Sequence, residues 1–118
     1  MTDTIQLTIP ANPRFRPVAT LVLGGVGSRL ELPYERIDDL QLAVLSALVA
    51  AESEVVTMEV ETNESRLSVS VGPLVDGSGA DHALRLVLDR LVDSVEATVR
   101  DGGEWLTLRL ERGGAPAD

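Results

Sequence analysis

The chain has 118 residues, 44% of them hydrophobic and 25% charged, which describes one globular domain with a real core rather than a disordered segment. It has no cysteine, which excludes disulfides, thiolate metal sites and a cysteine nucleophile. The net charge of −9, with all ten basic residues arginine and scattered from Arg14 to Arg112, argues against nucleic acid as a partner.

In 5-IQLTI-9, Ile5, Leu7 and Ile9 alternate with polar residues, which predicts a half-buried strand ended by Pro10. The start MTDTIQLTI has neither the basic residues nor the apolar block of a secretory signal. No apolar run approaches the roughly 20 residues of a membrane span, so a cytoplasmic protein without membrane contact is expected. Pro17 suits the first turn of a helix, and Val18, Leu21 and Val22 begin its apolar face. The next position on that face is Gly25, within 24-GGVG-27, so this helix is expected to fray or end there. After the connector 31-ELPY-34, a second helix is predicted from about Tyr34 to Glu52.

A hairpin follows. Val56, Met58 and Val60 share one strand face, Asn63 and Glu64 turn the chain, and Leu67, Val69 and Val71 return it. Residues 72–80 read as loop. A third helix is predicted from about Asp81 to Asp93, with Leu84, Val87, Leu88 and Leu91 on one face. A second hairpin closes the domain through Val95, Ala97 and Val99, the turn 101-DGG-103, and Leu106, Leu108 and Leu110. These elements predict an α+β two-layer sandwich, a five-stranded mixed sheet with three helices on one face, as a single domain over 1–112 with a flexible tail at 113–118.

Within the second helix, Ala43, Ser46, Ala47 and Ala50 form a stripe of small side chains at i, i+3, i+4 and i+7. Such a stripe suits either a tightly packed neighbour or the floor of a cavity. His82, the only histidine, sits beside Asp81 in the first turn of the third helix and reads as an exposed capping-region residue. Asp38 and Asp39 are adjacent, so their side chains diverge by about 100° and form no converging carboxylate pair. Arg85, Asp89 and Asp93 recur at i+4 spacing on what reads as a solvated face. Trp105 alternates away from Leu106, Leu108 and Leu110, either as an outward contact anchor or as a cover for the hairpin end.

The segment 5-IQLTIPANPRFRPVATLVLGGVGSRLELPYERIDDLQLAVLSAL-48 resembles the N-terminal half of the anti-sigma factor serine kinases, in the histidine-kinase-like ATPase (GHKL) superfamily. The order of elements is similar over nearly the whole chain. The resemblance implies a histidine-kinase-like ATPase fold, here with a shortened lid. It also implies a catalytic glutamate on the second helix and, four residues later, a magnesium-binding asparagine; those positions are Ser46 and Ala50. The chain's only asparagines, Asn12 and Asn63, lie elsewhere. The family's adenine-reading aspartate falls on Gly72, and 76-DGSG-79 has its glycines at other offsets. The family's glycine box before the third helix corresponds to 80-ADHALRL-86, which contains no glycine. Serine is no unassisted base near neutral pH, and alanine offers no oxygen to a hard cation.

The expected site is therefore an eroded one, with no catalytic residue, no metal and no cofactor. The expected function is that of an anti-sigma-factor-like regulator acting by protein binding. The alternatives are an active ATP-dependent serine/threonine protein kinase using magnesium at an atypical site, and a small-ligand-binding domain on the same fold. The resemblance further implies a partner such as a sigma factor or an anti-sigma antagonist, and a homodimer built through the first strand and first helix. Phe15, Val18, Ala19 and Val22 are the apolar contact candidates, with Arg14 and Arg16 at the rim and Trp105 as a further contact.

Overall fold

A computed structural model describes residues 3–112, so the tail expected at 113–118 lies outside the described residues. Its strands are β1 (Asp3–Pro10), β2 (Val55–Thr62), β3 (Arg66–Leu74), β4 (Ser94–Arg100) and β5 (Gly103–Glu111). Its helices are α1 (Arg16–Arg29), α2 (Tyr34–Leu48) and α3 (His82–Leu91). The strands lie in one sheet in the order β1-β2-β3-β5-β4. Every neighbouring pair is antiparallel, which corrects the expectation of a mixed sheet. The chain returns through α1 and α2 to lay β2 against β1, and β5 inserts between β3 and β4, so no two adjacent strands run the same way.

Alternation along the strands fixes which face is buried. Val56, Met58 and Val60, Leu67, Val69 and Val71, and Leu106, Leu108 and Leu110 all turn toward the helix layer and are at most 2% exposed. Leu40, Ala43, Val44, Ala47 and Leu48 of α2 meet them in the same core. Each turn has its own chemistry. Asn63 Oδ1 accepts the N–H groups of Ser65 and Arg66, both at 2.9 Å, which closes the β2–β3 hairpin. Asp101 and Gly102 both take positive φ, 51° and 79°, the two-residue turn whose twist matches antiparallel strands.

Helix α1 does not stop at 24-GGVG-27; it runs on to Arg29. Its glycines serve packing instead of termination. A Cβ built on Gly27 would lie 2.6 Å from Ile37 Cγ1, so glycine is what lets α1 close on the first turns of α2. Gln41 Nε2 donates to Thr20 O at 2.8 Å along the same seam. The end of α1 is set further on, where Glu31 takes φ 59° and Leu32 N–H donates to Gly27 O at 3.0 Å. Helix α2 is shorter than expected and ends at Leu48. Helix α3 starts on Asp81, whose side chain accepts the Leu84 N–H at 2.9 Å, with His82 exposed beside it.

Candidate functional site

The C-terminal turn of α2 holds the positions where the resemblance would place nucleotide chemistry. Ala43 and Ala47 are fully buried in the core, so the small stripe lets α2 lie close over the sheet. Ser46 is half-buried, and its hydroxyl donates back to Leu42 O at 2.9 Å within the helix. That bond occupies the hydroxyl's only proton. Because α2 ends at Leu48, Ala50 lies past the helix and no longer continues the face of Ser46. The backbone there is stitched to the end of β3. Val75 N–H donates to Ala50 O at 2.8 Å, Glu52 N–H donates to Pro73 O at 3.1 Å, and Ala51 forms a bridge with Leu74. Around Ser46 and Ala50, then, the side chains offer one hydroxyl already committed and one methyl group.

Gly72 lies elsewhere. The β3–β5 register shifts between Val71 and Leu74, and Gly72 sits at the shift with its α-carbon toward the sheet face that carries no helices. A Cβ there would come within 2.3–2.7 Å of three ring atoms of Trp105. The indole therefore lies flat where a side chain at position 72 would be. Arg100 stacks over the ring, its guanidinium carbon 4.3 Å from the ring centroid, and Arg100 Nη1 pairs with Glu59 Oε1 at 2.8 Å. This stack leaves Trp105 only 8% exposed, so it is a cover over Gly72 and not an outward contact anchor. The Ala50 backbone meets the end of β3 just past Gly72, but Ser46 belongs to the helix layer whereas Gly72 turns to the opposite face of the sheet.

Around α1, Asn12 Oδ1 accepts the Arg14 N–H at 3.0 Å and sets the turn into the helix. Arg14 is exposed and Arg16 half-buried. Phe15 and Val18 are 37% and 39% exposed, whereas Ala19 is fully buried and Val22 packs against the core. Ala19 therefore drops out as a contact residue and Val22 contributes little. Leu21, which the contact set lacked, is 75% exposed, and nothing approaches the open side of Gly25 within 4 Å. From Pro17 to Ser28 the helix has no charged residue at all, and that missing polar face is the signal that marks its outer side.

Two other readings change. Arg85 leaves the solvated face of α3, turning inward so that Nη1 donates to Gly79 O at 2.8 Å, and Asp93 pairs with Arg36 across 2.7 Å. Glu104, a carboxylate in phase with the buried Leu106, Leu108 and Leu110, accepts two backbone N–H groups from the loop before α3. Among the described residues no group of three or more histidine, aspartate or glutamate side chains is arranged to hold a metal ion.

A five-stranded sheet layered with three helices, a proline-led α1 and a buried α2 is an α+β architecture compatible with the expected histidine-kinase-like ATPase fold. Comparison with known proteins makes the relationship specific. The chain is 35% identical over 88 residues to the serine-protein kinase RsbW of Oceanobacillus iheyensis, covering 75% of this chain and 51% of that protein. It is 34% identical over 79 residues to RsbW of Listeria innocua, 60% of this chain and 50% of the relative. With RsbW of Bacillus velezensis it shares 35% identity over 74 residues, 63% and 44% of the two chains. The chain is similar to these serine-protein kinases over about half the length of the relatives it matches. No family model matches it. Among the described residues no helix is long and apolar enough to cross a membrane.

Proposed function

We propose that this chain is an anti-sigma-factor-like regulator that acts by binding another protein, without binding ATP or transferring phosphate. The observation that carries the reading is the chemistry at the three family positions. Ser46 spends its proton on Leu42 O, Ala50 has only a methyl group beside a stitched backbone, and the Trp105 ring fills the space a side chain at Gly72 would need. The carboxylate base and the amide oxygen for magnesium that the family places at Ser46 and Ala50 are therefore both missing, which supports this reading.

A sigma factor or an anti-sigma antagonist is the proposed partner, and a homodimer its proposed form. The outer side of α1 is uncharged, with Phe15, Val18 and Leu21 exposed, and β1 forms one edge of the sheet. That edge has free hydrogen-bonding groups, and between Thr4 and Pro10 it has no charged side chain to discourage pairing. Together they offer a self-complementary surface for an isologous dimer.

Isothermal titration of the purified chain with magnesium-ATP tests the central point. No heat at high micromolar ligand is expected. Micromolar binding would overturn the reading, and serine-kinase assays on an antagonist domain would then decide between an active kinase and a nucleotide-binding regulator.

A further inference from the structure

The segment 75–81 links β3 to α3 and lies over the end of the β4–β5 hairpin. It contains Gly77 at φ 92° and one tight turn over Ser78–Ala80. Glu104 shares strand-face parity with Leu106, Leu108 and Leu110, the apolar row beneath the helices, so a carboxylate at that position needs partners. It has two. Oε1 accepts the Gly77 N–H at 2.7 Å and Oε2 accepts the Gly79 N–H at 2.6 Å, one oxygen for each.

Close packing surrounds this fork. A Cβ on Gly79 would fall 2.6 Å from both Ala97 Cβ and Glu104 Oε2, and Gly79 is buried. Arg85 reaches from α3 to the same loop through Gly79 O at 2.8 Å, and to Val95 O at 3.4 Å. One carboxylate on β5 and one guanidinium on α3 therefore hold the segment from two sides.

We propose that Glu104 is a clasp that keeps the 75–81 segment folded down on the β4–β5 hairpin, making that segment a flap whose release uncovers Leu106, which is fully buried with the flap down. Leu106 then joins Ala97 and Val99, both already exposed, Val99 by 75%, in one apolar surface at the hairpin end. Glu104 is a positioning residue, acting only through the two amides it holds. The clasp does not depend on whether the chain binds nucleotide.

The test is amide hydrogen exchange, read residue by residue by NMR, on the full chain and on E104A, E104Q and G79A. In E104A, exchange at the Gly77 and Gly79 amides is expected to rise at least about tenfold while β2 and β3 amides stay within about twofold. E104Q keeps the side-chain shape and one carbonyl acceptor, so its rise should be smaller but confined to the same two amides. G79A pushes the flap off sterically with the carboxylate still present, and should expose it equally well. All three variants should bind more of a hydrophobic dye such as ANS than the parent chain. Unchanged exchange at Gly77 and Gly79 would overturn the proposal. So would a uniform rise across the whole sheet, which would make Glu104 a general contributor to stability with no local hold on the segment.

Discussion

Placing a single methyl group on Gly72 should unseat the only tryptophan in the chain. In G72A the new Cβ would lie 2.3, 2.5 and 2.7 Å from Trp105 Cδ2, Cγ and Cε2, distances at which something must shift. The three atoms belong to a rigid bicyclic ring, so no end of a flexible side chain can give way. The indole has to lift, which also breaks its stack with Arg100 and strains the Arg100–Glu59 pair. Overpacking typically costs about 1–3 kcal/mol, and the rigidity of the ring puts this case near about 3. For a domain of this length that corresponds to a drop in Tm of roughly 10 °C. Gly72 has no positive φ, so the backbone itself accepts alanine.

The decisive comparison is a double-mutant cycle with W105A, followed by urea titration. Without the ring, the three atoms nearest the methyl group at 72 are gone, and G72A should cost less than about 0.5 kcal/mol or gain slightly. The coupling between the two sites should therefore exceed about 2 kcal/mol. Tryptophan emission in G72A alone should shift to the red as the ring enters water. If G72A costs the same with and without Trp105, the contact is not what requires glycine at that position, and the argument that the ring excludes an adenine-reading aspartate fails with it.

The three glycines of α1 should respond differently to alanine: G25A, with nothing within 4 Å, should gain up to about 1 kcal/mol from helix propensity. G24A meets only the flexible Gln41 Nε2 at 3.2 Å and should be close to neutral, whereas G27A, 2.6 Å from Ile37 Cγ1, should lose about 1–3 kcal/mol and recover part of it in an I37A background; urea titrations of the three variants check the order. D81A removes the acceptor for the Leu84 N–H and should cost about 1 kcal/mol by thermal unfolding, while D81N keeps most of it. L21E changes a side chain that is 75% exposed, so the fold should survive, but sedimentation velocity should show a monomer if α1 forms the dimer face; an unchanged dimer would move that interface elsewhere.

Period-two alternation in Val56–Val60, Leu67–Val71 and Leu106–Leu110 made the strands and their buried face readable, because the pleat alone decides which way a side chain points. The mixed sheet was misjudged because strand direction is settled by which strands pair, and the insertion of β5 between β3 and β4 leaves no local trace. Gly25 and Gly27 were read as a helix end because glycine has two uses, termination and close approach, and only the distance to Ile37 separates them. The same limit applied to Trp105. Its outward alternation was legible, but the Gly72 beneath it and the Arg100 above it come from other strands. Glu104 showed only a carboxylate in phase with the buried Leu106–Leu110 row; its partners, backbone amides 25 and 27 residues away, left no trace in the sequence.

The antiparallel topology also imposes an order of assembly. The β2–β3 and β4–β5 hairpins close loops of about three and two residues, whereas β1 meets β2 only after the chain from Ala11 to Glu54 has been gathered in. On loop length alone, that last closure costs about 2 kcal/mol more entropy than either hairpin. On this argument β1 is expected to dock last and fray first, taking its register from Asp3–Thr62 to Pro10–Val55 on a sheet that already exists. A chain caught before that step leaves the hydrogen-bonding edge of β2 open, and a second chain in the same condition could supply the missing strand. The folding route thus carries a built-in choice between completing the sheet within one molecule and completing it by exchange between two.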